Sequence, residues 1–297
     1  MKRSFLIISI SLMIIGLVLF TGVMAVYGFD FRKLSTLEYR KNSFSFDEKI
    51  DSVSIETFTS DIFLYPSDDS TLRVEVYEEE KMPHDVKVLD GVLTVTMENH
   101  KDWYDYVGIN FDSPYVKIYL PKNEYDNLNV EVSTGDVEIS SGLLFDGISV
   151  EGKTGDVRCF AESAQNITIT ISTGDILISG TEAGNICLSQ STGEAMASRV
   201  LCNNFESKGS TGDIELESVM VEEKLFLLRD TGDIEFEASD AGEIYIKTST
   251  GDVEGSLLSE KFFDVQTSTG DIEIPKSGNG GKCEIRTSTG DVEISIR

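Results

Sequence analysis

An all-β repeat solenoid carried on one N-terminal apolar helix is the architecture that this 297-residue sequence predicts. Three observations carry the prediction. Thr-Gly-Asp recurs from residue 134 onward, with copies starting at Thr134, Thr154, Thr173, Thr192 (here Thr-Gly-Glu), Thr211, Thr231, Thr250, Thr269 and Thr289. The copies lie 19 or 20 residues apart, and so narrow a period marks a repeat architecture. Apolar residues alternate on both sides of each copy, and no segment of the array shows a helical period with caps.

The chain opens with Lys2 and Arg3, then runs without charge from Ser4 to Phe29. About 20 apolar residues cross a bilayer core, so residues 4–28 are expected to contact the membrane as an uncleaved anchor, with Tyr27 and Phe29 at the outer interface. The competing reading is a signal peptide cleaved after Ala25, at Val23-Met24-Ala25. Both send the remainder out of the cytoplasm, since large domains translocate regardless of flanking charges such as Arg32 and Lys33. The division expected is an anchor over 1–29, a linker over 30–42, a β-rich N-terminal cap with irregular coils over 43–125, and the repeat solenoid over 126–297.

Within 43–125 the alternation is plain, as in Leu72-Arg73-Val74-Glu75-Val76 and Val116-Lys117-Ile118-Tyr119-Leu120. Thr59-Ser60-Asp61-Ile62 reads as a decayed turn with Ser for Gly. In the array, two apolar positions follow each Asp and flank one that is often Glu, as in Ile214-Glu215-Leu216 and Ile272-Glu273-Ile274. A second apolar pair precedes each Thr, as in Ile148/Val150 and Ile244/Ile246. Each repeat therefore holds two short strands about a Thr-Gly-Asp corner, where Gly supplies a positive φ and Asp bonds local backbone. An antiparallel meander fits the alternation equally well. Constant repeat length favours the solenoid, because stacked coils demand equal lengths.

The serial turns, with Leu128-Asn129-Val130-Glu131-Val132-Ser133-Thr134-Gly135-Asp136-Val137 and the run Val116 to Pro121 before them, resemble the toast-rack domain, a bacterial family of unknown function labelled adhesin by analogy. The resemblance covers about residues 44–297. It implies a right-handed single-stranded β-helix type of fold and an association with cell-envelope stress systems, and it supplies no catalytic residues to carry over.

Charge narrows the function classes. Lys and Arg number 25 against 52 Asp and Glu, a net −27, which excludes a protein that must displace counterions from nucleic-acid phosphates. Two histidines and four cysteines at unmatched repeat phases leave little for a metal centre, a His-dependent triad or a disulfide framework, so no cofactor and no catalysis are expected. Cys159 and Cys283 fall on inward positions, Cys187 points outward and Cys202 lies in a variable corner. His84 and His100 are expected at the surface.

Asp136, Asp156, Asp175, Asp213, Asp233, Asp252, Asp271 and Asp291, with Glu194 in the fourth turn, form a ladder that would either bind cations or, more simply, cap each residue's own turn. Trp103, Tyr104 and Tyr106, with Phe111, would either close the core's end or meet a partner. Arg229-Asp230 beside Asp233 is the largest break in the repeat, where a polysaccharide-acting enzyme would keep its carboxylates and where a surface ion pair explains the residues as well. The last strand, carrying Asp291, Glu293 and Arg297, is expected to form an exposed charged edge on a monomer or weak dimer. The function expected is a membrane-anchored scaffold or interaction module of the cell envelope whose partner is an envelope protein or glycan, with a cell-surface adhesin as the alternative.

Overall fold

The computed structural model describes residues 2–26, 28–30, 37–106, 112–276 and 278–297. Tyr27, Arg32, Lys33 and Phe111 lie outside the described residues. Among the described residues, helix α1 (Lys2–Val26) is followed by 22 strands. The first seven are β1 (Tyr39–Phe46), β2 (Ser52–Thr57), β3 (Asp61–Ser67), β4 (Leu72–Glu79), β5 (His84–Leu89), β6 (Val92–Met97) and β7 (Tyr115–Pro121). Strand β1 thus starts inside the stretch expected to be linker.

The repeats then alternate long and short strands: β8 (Glu124–Thr134), β9 (Val137–Ile139), β10 (Leu144–Thr154), β11 (Val157–Cys159), β12 (Ser163–Thr173), β13 (Ile176–Ser179) and β14 (Glu182–Thr192). In the next coils the two merge around the corner, giving β15 (Ala195–Thr211), β16 (Ile214–Thr231) and β17 (Ile234–Lys247). The last five are β18 (Val253–Leu257), β19 (Lys261–Gln266), β20 (Ile272–Glu273), β21 (Gly281–Arg286) and β22 (Val292–Ile296).

Every strand pairing described within the Thr-Gly-Asp array is parallel, in register as in Ile148↔Ile167, Ile167↔Ile186 and Ile186↔Phe205, with bulges where β15, β16, β17 and β18 pair. This removes the meander, whose neighbours would run antiparallel. Long strands stack into one sheet and short strands into a second, and their inward residues form one continuous core from Ile50 to Ile294. Short strands contribute Val137/Ile139, Ile176/Ile178 and Ile234, while long strands contribute Leu128/Val130, Ile167/Ile169 and Leu225/Leu227, all buried. In five coils the corner opposite Thr-Gly-Asp is turned by one residue with positive φ, Gly142 and Gly180 in early coils, Arg199, Ser218 and Ala238 in later ones.

Spatial order departs from sequence order at both ends. Strands β2 and β3 lie between β8/β9 on one side and β6/β7 on the other, so the first coil of the chain is the second layer of the stack. Antiparallel β5 closes β6, and β4 followed by β1 closes β7. At the other end β22 pairs with both β18 and β20, and β21 with both β17 and β19. The final coil is therefore interior, and the coil of Thr269 is outermost. The expectation that Asp291, Glu293 and Arg297 form the open edge is corrected for the first two: the chain folds back once, and β22 is paired on both sides at Val292–Glu293, while its remainder pairs with β18.

Candidate functional site

The Thr-Gly-Asp corners build a single hydrogen-bonded ladder along the stack. Each Gly amide donates to the Thr carbonyl of the next coil, as in Gly155 N–H to Thr173 O at 3.0 Å. Except at the outermost Asp271, each Asp Oδ1 accepts the amide of the neighbouring coil's acidic residue. In spatial order the acceptors run Asp61 to Asp136 (3.0 Å), Asp136 to Asp156 (2.9 Å), Asp156 to Asp175 (3.0 Å) and Asp175 to Glu194 (2.8 Å). They resume with Asp213 to Asp233, Asp233 to Asp252, Asp252 to Asp291 and Asp291 to Asp271 at 2.7–2.8 Å. Each carboxylate caps the corner of the next coil rather than its own, and Asp61 extends the row into the decayed turn. Among the described residues no group of three or more His, Cys, Asp or Glu is arranged to hold a metal ion.

The glycine is fixed by two constraints at once. Gly251 has φ +148, and a Cβ there would sit 2.0 Å from the Gly232 carbonyl oxygen. The other turn glycines repeat both features, because stacked corners touch backbone to backbone.

Glu194, the one glutamate in the ladder, interrupts it. Its carboxyl is pushed up to about 7, first by burial, then by its hydrogen bond with Glu215 and repulsion from Glu215, Asp175 and Asp213. Arg229 sits close by, inside the solenoid rather than on its surface. It is 1% exposed and donates from Nε to the Gly212 carbonyl at 3.1 Å. Thr267 at the same repeat position donates its hydroxyl to Gly290 O at 3.0 Å, so Arg229 is a variant of a turn-supporting donor. Burial pushes its guanidinium down to about 10, partly opposed by Asp213. The expected surface ion pair is corrected: the position faces inward, in register with Gly209, whose missing side chain leaves the guanidinium its space.

A different chemistry occupies the outer face of the short-strand sheet at its N-terminal end. Tyr39 stacks on Tyr77 (5.2 Å between centroids) and Tyr77 on Tyr115 (5.5 Å), while Tyr65 leans on Tyr119 (5.6 Å). Cations interleave: Arg73 lies 4.3 Å over Tyr119, and Lys117 lies 4.6 Å over Tyr115 and 5.5 Å over Phe63. Lys41 pairs with Glu75 at 2.9 Å. Farther along the same face the register reads Glu215, Glu235, Glu254, Glu293 and Glu273, so one face is basic and aromatic at one end and acidic at the other. Burial, and after it repulsion from Glu293 and Glu235 in that row, raises the Glu254 carboxyl. Trp103 and Tyr104 head a short 3-10 turn (Trp103–Tyr106) and are 81% and 54% exposed, so these two rings do not close the core.

The Toastrack DUF4097 family matches this chain over residues 50–196 and again over 181–297. The protein belongs to that family. No curated protein matches it. Solved structures similar to this toast-rack chain include a candidate adhesin from Bacteroides fragilis NCTC 9343, 12% identical, covering 86% of this chain and 97% of the other with a TM-score of 0.46. A candidate adhesin from Parabacteroides distasonis ATCC 8503 is also 12% identical, at 88% and 97% coverage and TM-score 0.39. A candidate lipid-binding protein from that strain is 11% identical, at 89% and 98% coverage and TM-score 0.30.

One buried cluster of this toast-rack chain was missed from its sequence. His84, expected at the surface, is buried: Glu78 Oε2 meets its Nδ1 at 3.0 Å and its backbone amide at 2.5 Å, and Ser60 Oγ lies 3.2 Å from Nε2. Arg40 and Asn42 donate to the other oxygen of Glu78. Burial alone would raise that carboxyl, but the bonds from His84 and Arg40 outweigh it and hold it low. The order Ser–His–carboxylate matches a nucleophilic triad, yet Ser60 and the His84 ring are fully buried, so no substrate meets the hydroxyl. The cluster ties the antiparallel cap to the first turn. The signal was Ser60 itself, a polar residue in place of the turn glycine.

The cysteines are all free thiols. Cys159 and Cys283 are buried as expected; Cys202, expected in a corner, lies buried within β15, because the strands there run unbroken around the bend. His100 is exposed, with Nε2 3.0 Å from Glu98 Oε2.

Proposed function

We propose that this protein is a membrane-anchored extracytoplasmic scaffold, an interaction module of the cell envelope with envelope stress as its setting. The observation that carries the reading is α1. Its stretch Phe5–Val26 has a mean hydropathy of 2.7, and none of its most apolar window is buried against the protein. Apolar surface of that length without a protein partner is covered by lipid. A parallel stack held by backbone ladders then supplies a stiff body whose faces, not a cleft, meet partners. Protease added to intact protoplasts is expected to remove the β domain and leave α1; complete protection overturns the reading. A mature chain beginning at Val26 selects the cleaved signal peptide instead. The adhesin alternative is favoured by the exposed Trp103 and Tyr104, and retention of the secreted domain by host matrix, lost in Trp103→Ala, would select it.

A further inference from the structure

We propose that the basic, aromatic end of the short-strand sheet docks on the anionic headgroups of the membrane that holds α1, so that the acidic end of the solenoid points away from the bilayer. The inference rests on the anchor reading above and adds the surface, its ligand chemistry and the resulting orientation.

The tether is the first argument. Helix α1 ends at Val26 and β1 begins at Tyr39. The intervening residues 27–38 span at most about 40 Å when fully extended. The first strand after the tether is thus the outer strand of the patch, with Tyr39 stacked into its tyrosine row and Lys41 beside Tyr77 in register. Covalent attachment holds this surface near headgroups at high effective concentration, so weak individual contacts suffice.

Charge is the second argument. Outside Lys2 and Arg3 the chain carries 23 basic against 52 acidic residues, a net of 23 − 52 = −29. Against that field Lys41, Arg73 and Lys117 gather on one face, with Glu75 among them and Glu138 at its border beside Phe63, while the glutamate row occupies the far end of the same face. An anionic leaflet attracts the first end and repels the second. Tyrosine beside lysine and arginine is the residue mixture of the water–lipid interface.

Contact continuity extends the patch to the exposed ring pair. Glu38, the last tether residue, accepts the Glu80 amide at 2.9 Å. The next residue, Lys81, bonds Asp105 at 2.5 Å and lies 5.7 Å over the Tyr104 ring. Trp103 and Tyr104 therefore project where the tether enters. Asp102 and Asp105 flank them, and Lys81 compensates the second.

Trp103 is the chain's only tryptophan, so its fluorescence reports on this end alone. The full chain is placed in nanodiscs of phosphatidylcholine with or without phosphatidylglycerol, using dibrominated acyl chains as quenchers. Docking predicts a blue shift and at least twofold quenching in the anionic discs, reversed by high salt and by the combined change Lys41→Ala, Arg73→Ala and Lys117→Ala. A second variant, Lys41→Gln alone at the exposed edge, should weaken the effect without setting a like charge against Glu75. Trp103 emission that stays water-like in anionic discs, with the chain retained, overturns docking and leaves the anchor standing. A chain that leaves the discs overturns the anchor, and docking with it. A response to added polygalacturonate but not to lipid would assign the patch to an acidic glycan, and one that scales with copies per disc to a second chain; either overturns the proposal.

Discussion

At the scale of single residues, the ladder's one glutamate makes a testable statement. Glu194 has its carboxyl raised from an ordinary value of 4.5 to about 7, so the folded protein binds a proton that the unfolded chain releases. Its contribution to stability is complete below about 4.5 and is lost as pH rises through about 7. Because the side chain is partly solvated, about 1–2 kcal/mol is expected rather than the full shift. Glu194→Gln should flatten the fall in Tm between those values and leave melting near pH 4.5 unchanged. Glu78 acts in the opposite direction: its lowered carboxyl stabilises above the ordinary value, and that contribution is lost on acidification through its folded value. Sequence reading located Glu194 as the departure in the fourth turn but not its partner, since Glu215 comes beside it only through the stacking of β15 on β16. His84 fails for the same reason: its burial depends on an antiparallel strand laid across the first coil, which no local pattern announces.

At the scale of an element, the coil corner explains why the repeat was so legible. A backbone-to-backbone contact excludes every side chain at Gly, an acceptor at fixed reach selects Asp, and equal layers enforce the 19- or 20-residue period. Each constraint is local and repeats, so each is printed in the sequence. Gly251→Ala combines a strained φ of +148 with a 2.0 Å approach to Gly232 O, and is expected to cost about 2–4 kcal/mol. Chemical denaturation should show it as a lower midpoint. Gly278, with nothing within 4 Å of an added Cβ, is the control and should tolerate Ala. The platform of Tyr39, Tyr77 and Tyr115 was not legible, because three tyrosines far apart in sequence meet only once β1, β4 and β7 pair antiparallel. The cations among them looked like ordinary outward charges on alternating strands.

At the scale of the whole molecule, charge and chain order dominate. Aligned coils place five glutamates of the short-strand face side by side, and like charges about 4.8 Å apart repel by about 0.9 kcal/mol per pair even at the dielectric of water. Monovalent salt is therefore expected to raise Tm through screening. At fixed ionic strength, micromolar Ca²⁺ should add no saturable step, because the ladder carboxylates already accept amides through Oδ1. A saturable rise lost in Asp252→Asn with Asp271→Asn would instead assign the ladder as a calcium site.

Chain order makes the sharper claim about the whole molecule. If the terminal strand were a free edge, removing residues 290–297 would change association and little else. It is instead an interior layer: β22 buries Val292 and Ile294, and its partners β18 and β20 meet only through it. Two aliphatic side chains contribute about 3–6 kcal/mol, and the loss includes the backbone ladder through Asp291, which joins Asp252 to Asp271. The truncated chain should melt markedly lower, and limited proteolysis should release residues from about 258 onward while the coils up to β17 persist. Sedimentation of the intact ectodomain and its truncation separates the two cases: an unchanged melt with altered association would restore the free edge, and a collapsed outer coil at constant mass would fix β22 as the strand that closes the stack.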